Sequence, residues 1–102
     1  MDFAGFDWDS GNEGKCQKHG VSIAEIESVF RGRVRIAPDL QHSLDEERLK
    51  AIGVSGAGRH VLIAFTFRRR DGDRLIRPVS ARYMHAKEVA HYEKETSDAS
   101  KR

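Results

Sequence analysis

The chain has 102 residues, of which 38% are hydrophobic and 33% are charged, and this size and composition are typical of one compact domain. No apolar run is long enough to cross a membrane, and the first residues lack the basic start of a signal peptide. A single cysteine, Cys16, excludes an internal disulfide, so we expect a cytoplasmic protein without membrane association. The net charge of +2 is too small to identify a partner by itself.

The first third of the chain is predicted to hold two helices behind an irregular arm. The Asp/Gly/Asn-rich stretch 6–14 is typical of such an arm, which its aromatic residues would dock on the core. A short helix is predicted over 13–19, before a glycine. Ser22 and Glu25 have the spacing of a capping box, and apolar residues follow at helical spacing. We therefore predict a second helix over 22–31.

Four strands are predicted next, with bounds 33–36, 48–55, 60–68 and 74–82. The third is the most hydrophobic, and its apolar residues at both odd and even positions indicate a central strand whose two faces are at least partly covered. The set on this strand that should face the helices is Val61, Ile63, Phe65 and Phe67. A polar loop over 38–46 and a glycine-rich turn separate the first three strands. Asp71-Gly72 is a strong hairpin signal between the last two. Pro78 within the fourth strand indicates an edge position or a bulge.

The order of the elements predicts an α+β fold. A last helix over 86–95 and a disordered tail at 96–102 would leave residues 1–95 as one domain. Helices, then a meander of about four antiparallel strands, then one helix favour two layers. In this arrangement the N-terminal helices and the C-terminal helix pack on one face of the sheet. The other face would be open to solvent or to a partner.

Alternation of side chains along the strands assigns basic and hydroxyl groups to the open face. The predicted set is Arg48, Lys50, Thr66, Arg68, Ser80 and Arg82. These side chains would line a shallow basic groove without a carboxylate, where arginine could hold an RNA phosphate and stabilise its transition state. Alternatively, the arginines only keep the sheet edges soluble. A bulge at Pro78 would move Arg82 to the other face.

No metal-binding or nucleotide-binding motif is visible in the sequence. The five histidines lack zinc-ligand spacing, and no glycine-rich phosphate loop precedes a helix. We therefore predict no metal and no cofactor, which leaves attack by the 2′-hydroxyl of RNA on its neighbouring phosphate as the available nuclease chemistry. His19 is the candidate base, or else it orients the first helix through a buried hydrogen bond. Arg82 is the candidate for the scissile phosphate, or else it forms a salt bridge with Glu88.

Four motifs occur in the order and spacing of one protein family. They are Phe6-Asp7-Trp8-Asp9 with Asn12, Lys18-His19-Gly20-Val21-Ser22, Ala51-Ile52-Gly53, and Ile76 to Arg82 followed by Glu88 and Tyr92. On these motifs the chain resembles the BrnT family of toxins. The resemblance implies a RelE-like fold and a ribonuclease that inhibits translation. It also implies neutralisation by a BrnA-type antitoxin with a ribbon-helix-helix domain, through which the complex would contact operator DNA.

The residues and the resemblance together predict the toxin of a type II toxin–antitoxin system, a metal-independent endoribonuclease. The candidate site residues are Arg82, Arg68 and His19 for catalysis, and Lys50, Arg48, Thr66 and Ser80 for RNA binding. A non-catalytic module that binds a partner protein in a transcriptional regulatory complex is the main alternative. A further alternative is an RNA-binding domain without cleavage, whose affinity would fall steeply with salt.

Overall fold

The computed structural model describes residues 2–40 and 47–100, and it confirms the α+β class. The elements are β1 (Gly5–Phe6), α1 (Glu13–Gln17), α2 (Ile23–Arg31), β2 (Val34–Pro38), β3 (Leu49–Val54), β4 (His60–Arg70), β5 (Asp73–Tyr83) and α3 (Ala86–Ser100). Most of the predicted loop and the end of the predicted tail lie outside the described residues. No helix within the described ranges is both long and apolar enough to span a membrane.

The sheet has five strands in the order β1-β5-β4-β3-β2, rather than the four that were expected. The four long strands pair antiparallel in sequence order, as the hairpin signals predicted. The additional strand is β1, which pairs parallel to β5 through Gly5 and Phe6. A strand of two residues has no detectable periodicity, so sequence patterning could not reveal it.

The arm after β1 is held to β5 by buried polar side chains. Asp7, which is 5% exposed, accepts hydrogen bonds from Arg70 and Arg77 at 3.0 and 3.2 Å. The amide of Asn12 donates to the carbonyls of Asp7 and Pro78 at 2.9 and 2.8 Å. The first of the four sequence motifs therefore has a structural role, because its buried polar groups form hydrogen bonds with one another and with residues of β4 and β5.

Helix α2 lies on one face of the sheet and begins where the capping signal placed it. The hydroxyl of Ser22 accepts from the backbone N–H of Glu25 at 3.1 Å. The carboxylate of Glu25 does not complete the box, because it accepts from the hydroxyls of Ser55 and Tyr83 at 2.7 and 2.5 Å. The hydrogen bond from the Tyr83 hydroxyl to Glu25 raises the pKa of Tyr83 above its usual value. Glu25 thus ties the start of α2 to the ends of β3 and β5.

A bulge interrupts the alternation of β5. Phe65 pairs with Pro78 but Ala64 pairs with Ser80, so Val79 has no partner in the register. Ile76 and Pro78 are fully buried on the α2 side, whereas Ser80 and Arg82 align with residues of the other face. The bulge predicted at Pro78 is therefore present. It places Ile76 and Pro78 on the α2 side while Arg82 stays on the open face, so the expectation that a bulge would move Arg82 to the other face is wrong.

The last helix lies on the opposite face of the sheet from α2, which corrects the prediction that all helices share one face. The Tyr92 ring packs edge-on against His60, with the ring centroids 5.7 Å apart. Glu88 and Glu95 pair with Arg82 and Arg35. The helix also extends to Ser100, beyond the predicted end at residue 95. The division into a domain at 1–95 and a tail at 96–102 stays a prediction.

The hydrophobic core lies between α1, α2 and the sheet. Its buried residues include Ile26 and Val29 of α2 and Ile63 and Phe65 of β4. Phe65 packs edge-on against Phe30 and Phe67, with ring centroids 5.1 and 5.4 Å apart. The predicted core-facing set on β4 is confirmed, and none of the described side chains of α3 belongs to this core.

Cys16 is fully buried in this core, and burial raises the pKa of its thiol to about 11. Since the thiolate is the nucleophile, we expect no measurable reaction of the native protein with a thiol-specific reagent at pH 8. The same protein unfolded in guanidinium should react rapidly and stoichiometrically. Spectrophotometric labelling checks this, and rapid labelling of the folded protein would show that Cys16 is accessible.

Candidate functional site

A recess of about 300 Å³ lies on the sheet face opposite α2. Its lining combines basic, acidic, hydroxyl and apolar side chains from five parts of the chain. These residues are His19, Asp39, Arg48, Lys50, Leu62, Ala64, Ser80, Ala81 and Arg82. Five of the seven predicted site residues therefore meet here: His19, Arg48, Lys50, Ser80 and Arg82.

The strand register explains this arrangement. Lys50 and Ser80 both pair with Ala64, from opposite sides of β4, so their α-carbons are about two strand spacings, or about 10 Å, apart. The small side chain of Ala64 leaves a depression between them. Leu62 pairs with Arg82 in the next open-face row. The groove thus has an apolar floor and polar sides.

Arg82 is already engaged by a carboxylate. Its two terminal nitrogens donate to the two oxygens of Glu88, both at 2.8 Å, which is a bidentate pair. The hydrogen bonds from Arg82 lower the pKa of Glu88 to about 2, and Glu88 in turn raises the pKa of Arg82. Glu88 also accepts from the backbone N–H of His85 at 2.9 Å. The pair therefore joins the groove to the first turn of α3.

His19 lies shortly after the end of α1 and is exposed. Its position at the recess is compatible with proton transfer to a ligand bound there. The alternative of a buried hydrogen bond that orients the first helix does not fit this exposure. The turn at Gly20, with a φ of 92°, is a left-handed conformation that favours glycine.

The expectation of a groove without a carboxylate is wrong. Asp39, only 3% exposed, lines the recess, and its backbone N–H donates to the carbonyl of Arg48 at 2.8 Å. Sequence patterning gave no signal for this position, because Asp39 falls in the stretch predicted as a polar loop. Among the described residues, the recess therefore combines cations with the buried acid Asp39, and Glu88 neutralises Arg82 at its edge.

Thr66 and Arg68 lie farther along β4, outside the recess. Thr66 is 4% exposed, and its hydroxyl donates to the carbonyl of Glu47 at 2.9 Å. Arg68 pairs with Leu75 and shares the open face with Arg82. The guanidinium of Arg68 donates to the Phe67 carbonyl at 3.4 Å. The basic character of this face therefore continues beyond the recess toward the hairpin.

Histidine, cysteine, aspartate and glutamate side chains do not converge in groups of three or more that could hold a metal ion anywhere in residues 2–40 and 47–100. The groups that the recess offers to a ligand are guanidinium, ammonium, imidazole, hydroxyl and carboxylate. This set can bind an anion, and its imidazole is a group of the kind that transfers protons to or from a bound ligand.

Residues 8–88 match a family described as the ribonuclease toxin, BrnT, of type II toxin–antitoxin systems. The chain belongs to the BrnT family. No curated protein sequence matches it at the significance required. Every residue that lines the recess lies within the matched range, whereas most of α3 follows it. As a member of a type II toxin family, this BrnT chain has a protein antitoxin as its partner.

Proposed function

We propose that this BrnT-family chain is a metal-independent endoribonuclease, and that the recess is its catalytic site. The observation that carries the proposal is the convergence of Arg82, Lys50 and His19 on one depression of the open sheet face. The Lys50 ammonium there would attract an RNA phosphate, and the Arg82 guanidinium, on exchanging Glu88 for that phosphate, would stabilise the charge it gains during transfer. An adjacent imidazole would supply proton transfer.

The proposed reaction is an internal transfer within the RNA. The 2′-oxygen forms a bond to the neighbouring phosphorus, and the bond from phosphorus to the 5′-oxygen breaks. His19 is proposed to accept the 2′-hydroxyl proton, while an acid returns a proton to the leaving 5′-oxygen. Arg82 is proposed to hold the phosphate, with Lys50, Arg48 and Ser80 contacting its oxygens. The products would be a 2′,3′-cyclic phosphate and a 5′-hydroxyl end.

The remaining basic residue of the predicted set has a different proposed role. Arg68 is on the same face but beyond the recess, so we assign it to a flanking phosphate of the RNA. Because phosphate contacts release counterions, Arg68→Ala would lower the salt dependence of RNA binding. Thr66, buried against the Glu47 carbonyl, would support the start of β3.

The antitoxin and the cellular role follow the family resemblance. We propose a BrnA-type antitoxin with a ribbon-helix-helix domain, which neutralises the toxin and through which the complex contacts operator DNA. Cleavage of cytoplasmic mRNA would then inhibit translation whenever the antitoxin is lost.

Purified protein and a defined RNA provide the direct test. We expect cleavage that persists in excess chelator, with cyclic phosphate ends detectable by mass spectrometry. Expression without antitoxin should arrest growth. Folded protein that leaves both RNA and growth unchanged would overturn the proposal.

A non-catalytic, partner-binding role is the second candidate. One observation favours it, since Arg82 is held by Glu88 and is not presented to solvent alone. This candidate predicts a stable complex with the antitoxin but no RNA cleavage by the free chain.

Replacing Glu88 with glutamine should strengthen RNA binding. Glu88 and a phosphate would compete for the same guanidinium, and the pair is about one-third exposed on both sides. Exposed ion pairs contribute about 0–1 kcal/mol, so we expect affinity to rise by up to about fivefold. Fluorescence anisotropy with a non-cleavable 2′-O-methyl RNA measures this, with the exposed Glu13→Gln as the matched control. Weaker binding would contradict the competition.

This effect should be constant across neutral pH. The pKa of Glu88 is lowered from its ordinary value of 4.5 to about 2. The ion pair with Arg82 is therefore fully formed at any pH above 4.5 and is lost only as the pH falls toward 2. The affinity ratio between Glu88→Gln and the parent protein should therefore not change between pH 6 and pH 8. A ratio that changes severalfold over this range would show that another group controls Arg82.

A further inference from the structure

A second cavity, of about 390 Å³, lies on the same sheet face beneath α3. Its lining includes Ala37 and Ile52 from the sheet, Met84 from the connection to α3, and Tyr92 from α3 itself. Charged side chains of Arg35, Lys87, Glu88, His91 and Glu95 complete it. The cavity therefore has an apolar interior and a charged rim.

Charged side chains and one aromatic contact attach α3 to the sheet around this cavity, the aromatic contact being that of Tyr92 with His60. Glu88 and Glu95 reach Arg82 and Arg35. Glu93 lies 3.0 Å from the Nε2 atom of His60, in a geometry that does not form a hydrogen bond. Arg35, Glu88 and Glu95 also line the cavity, so their ion pairs lie at its rim.

The Arg82–Glu88 pair forms the boundary between this cavity and the recess. Arg82 lines the recess and Glu88 lines the cavity. Across the sheet, Ile52 pairs with Leu62, which pairs with Arg82, so Ile52 and Arg82 are about two strand spacings, or about 10 Å, apart. If a phosphate of the RNA contacts Arg82, a base next to that phosphate would therefore lie within reach of the cavity.

We propose that this cavity receives a nucleobase of the RNA whose phosphate is bound at Arg82. The proposal rests on the proposed function and deepens it, because it assigns the sequence preference of cleavage to residues outside the recess. Unpaired bases are recognised by stacking on aromatic side chains and by polar groups at the edge of the ring. Tyr92 offers the aromatic ring, Ile52 and Met84 offer apolar walls, and the charged rim offers polar contacts.

The test compares binding of a short 2′-O-methyl RNA with binding of versions that lack one base at each position in turn. Stacking contributes about 1–3 kcal/mol per base. We therefore expect loss of one particular base to weaken binding by about tenfold. Ala37→Phe should fill the cavity from its floor and abolish that difference, and Tyr92→Leu should reduce it. Ala57→Phe, in an exposed turn, is the matched control and should retain it.

The outcomes separate this proposal from the proposed function. If the protein discriminates between bases but does not cleave ordinary RNA, the result supports the nucleobase site in the cavity and overturns the proposed ribonuclease function. Cleavage without base discrimination, or discrimination that survives Ala37→Phe, overturns the cavity alone. If Ala37→Phe leaves RNA binding unchanged but prevents assembly with the antitoxin, the cavity belongs to the partner protein and the proposal is wrong. Absence of any RNA binding overturns both.

Discussion

Alanine at position 82 is expected to reduce RNA cleavage by about 10²–10³-fold, because removal of one group that stabilises transition-state charge has an effect of this order. Growth arrest on expression should disappear with it. Arg82→Lys should restore only part of the rate, since an ammonium group lacks the bidentate geometry of guanidinium. Single-turnover cleavage of a defined RNA measures the three rates.

Folding must be unaffected for this result to concern catalysis. Arg82 and its partner are about one-third exposed, so loss of the pair should change the free energy of unfolding by no more than about 1 kcal/mol. Arg69→Ala is the matched control, because Arg69 is exposed on β4 with a register position on the α2 side of the sheet. Equal loss of activity in both variants, or full activity in Arg82→Ala, would remove Arg82 from the mechanism.

The largest expected change in stability follows from Phe65→Ala. Phe65 is fully buried and contacts the rings of Phe30 and Phe67. Truncation of a buried phenylalanine costs about 3–5 kcal/mol, a large share of the roughly 5–15 kcal/mol available to a domain. Urea denaturation followed by circular dichroism gives the free energy of unfolding.

Phe3→Ala serves as the comparison for that measurement. Phe3 is only partly buried and contacts Phe6 and Phe30 at the margin of the core. We expect a smaller decrease in the free energy of unfolding than for Phe65→Ala, since fewer contacts disappear and solvent can occupy the space. Similar losses in the two variants would indicate that the aromatic cluster does not centre on Phe65.

Local patterns predicted much of the main architecture. Ser22 and the apolar spacing after it predicted α2, which the structure confirms. Alternation along β4 predicted the buried set that includes Ile63 and Phe65. Pro78 predicted the irregularity of β5. Each of these signals depends on neighbours in sequence, and local geometry determines each outcome.

The features that sequence patterning missed depend on contacts between distant segments. Strand β1 exists because its backbone meets β5, and no property of Gly5-Phe6 indicates this partner. The side of the sheet on which α3 lies depends on contacts between distant segments, among them the ion pair that joins Arg35 to Glu95 and the packing of Tyr92 on His60. Asp39 is buried at the groove, although its sequence context is typical of an exposed loop.

The unpaired Val79 marks one position at which β5 should tolerate the loss of a residue. Ile76 and Arg82 are both even-numbered, yet the first is fully buried and the second faces the groove, because one extra residue lies between them. A deletion at position 79 would make Pro78 and Ser80 consecutive, opposite the consecutive residues Phe65 and Ala64, and would restore strict two-residue alternation. Ile76 would stay buried and Arg82 would stay at the groove. Viable relatives should therefore lack a residue at this position more often than at its neighbours in β5.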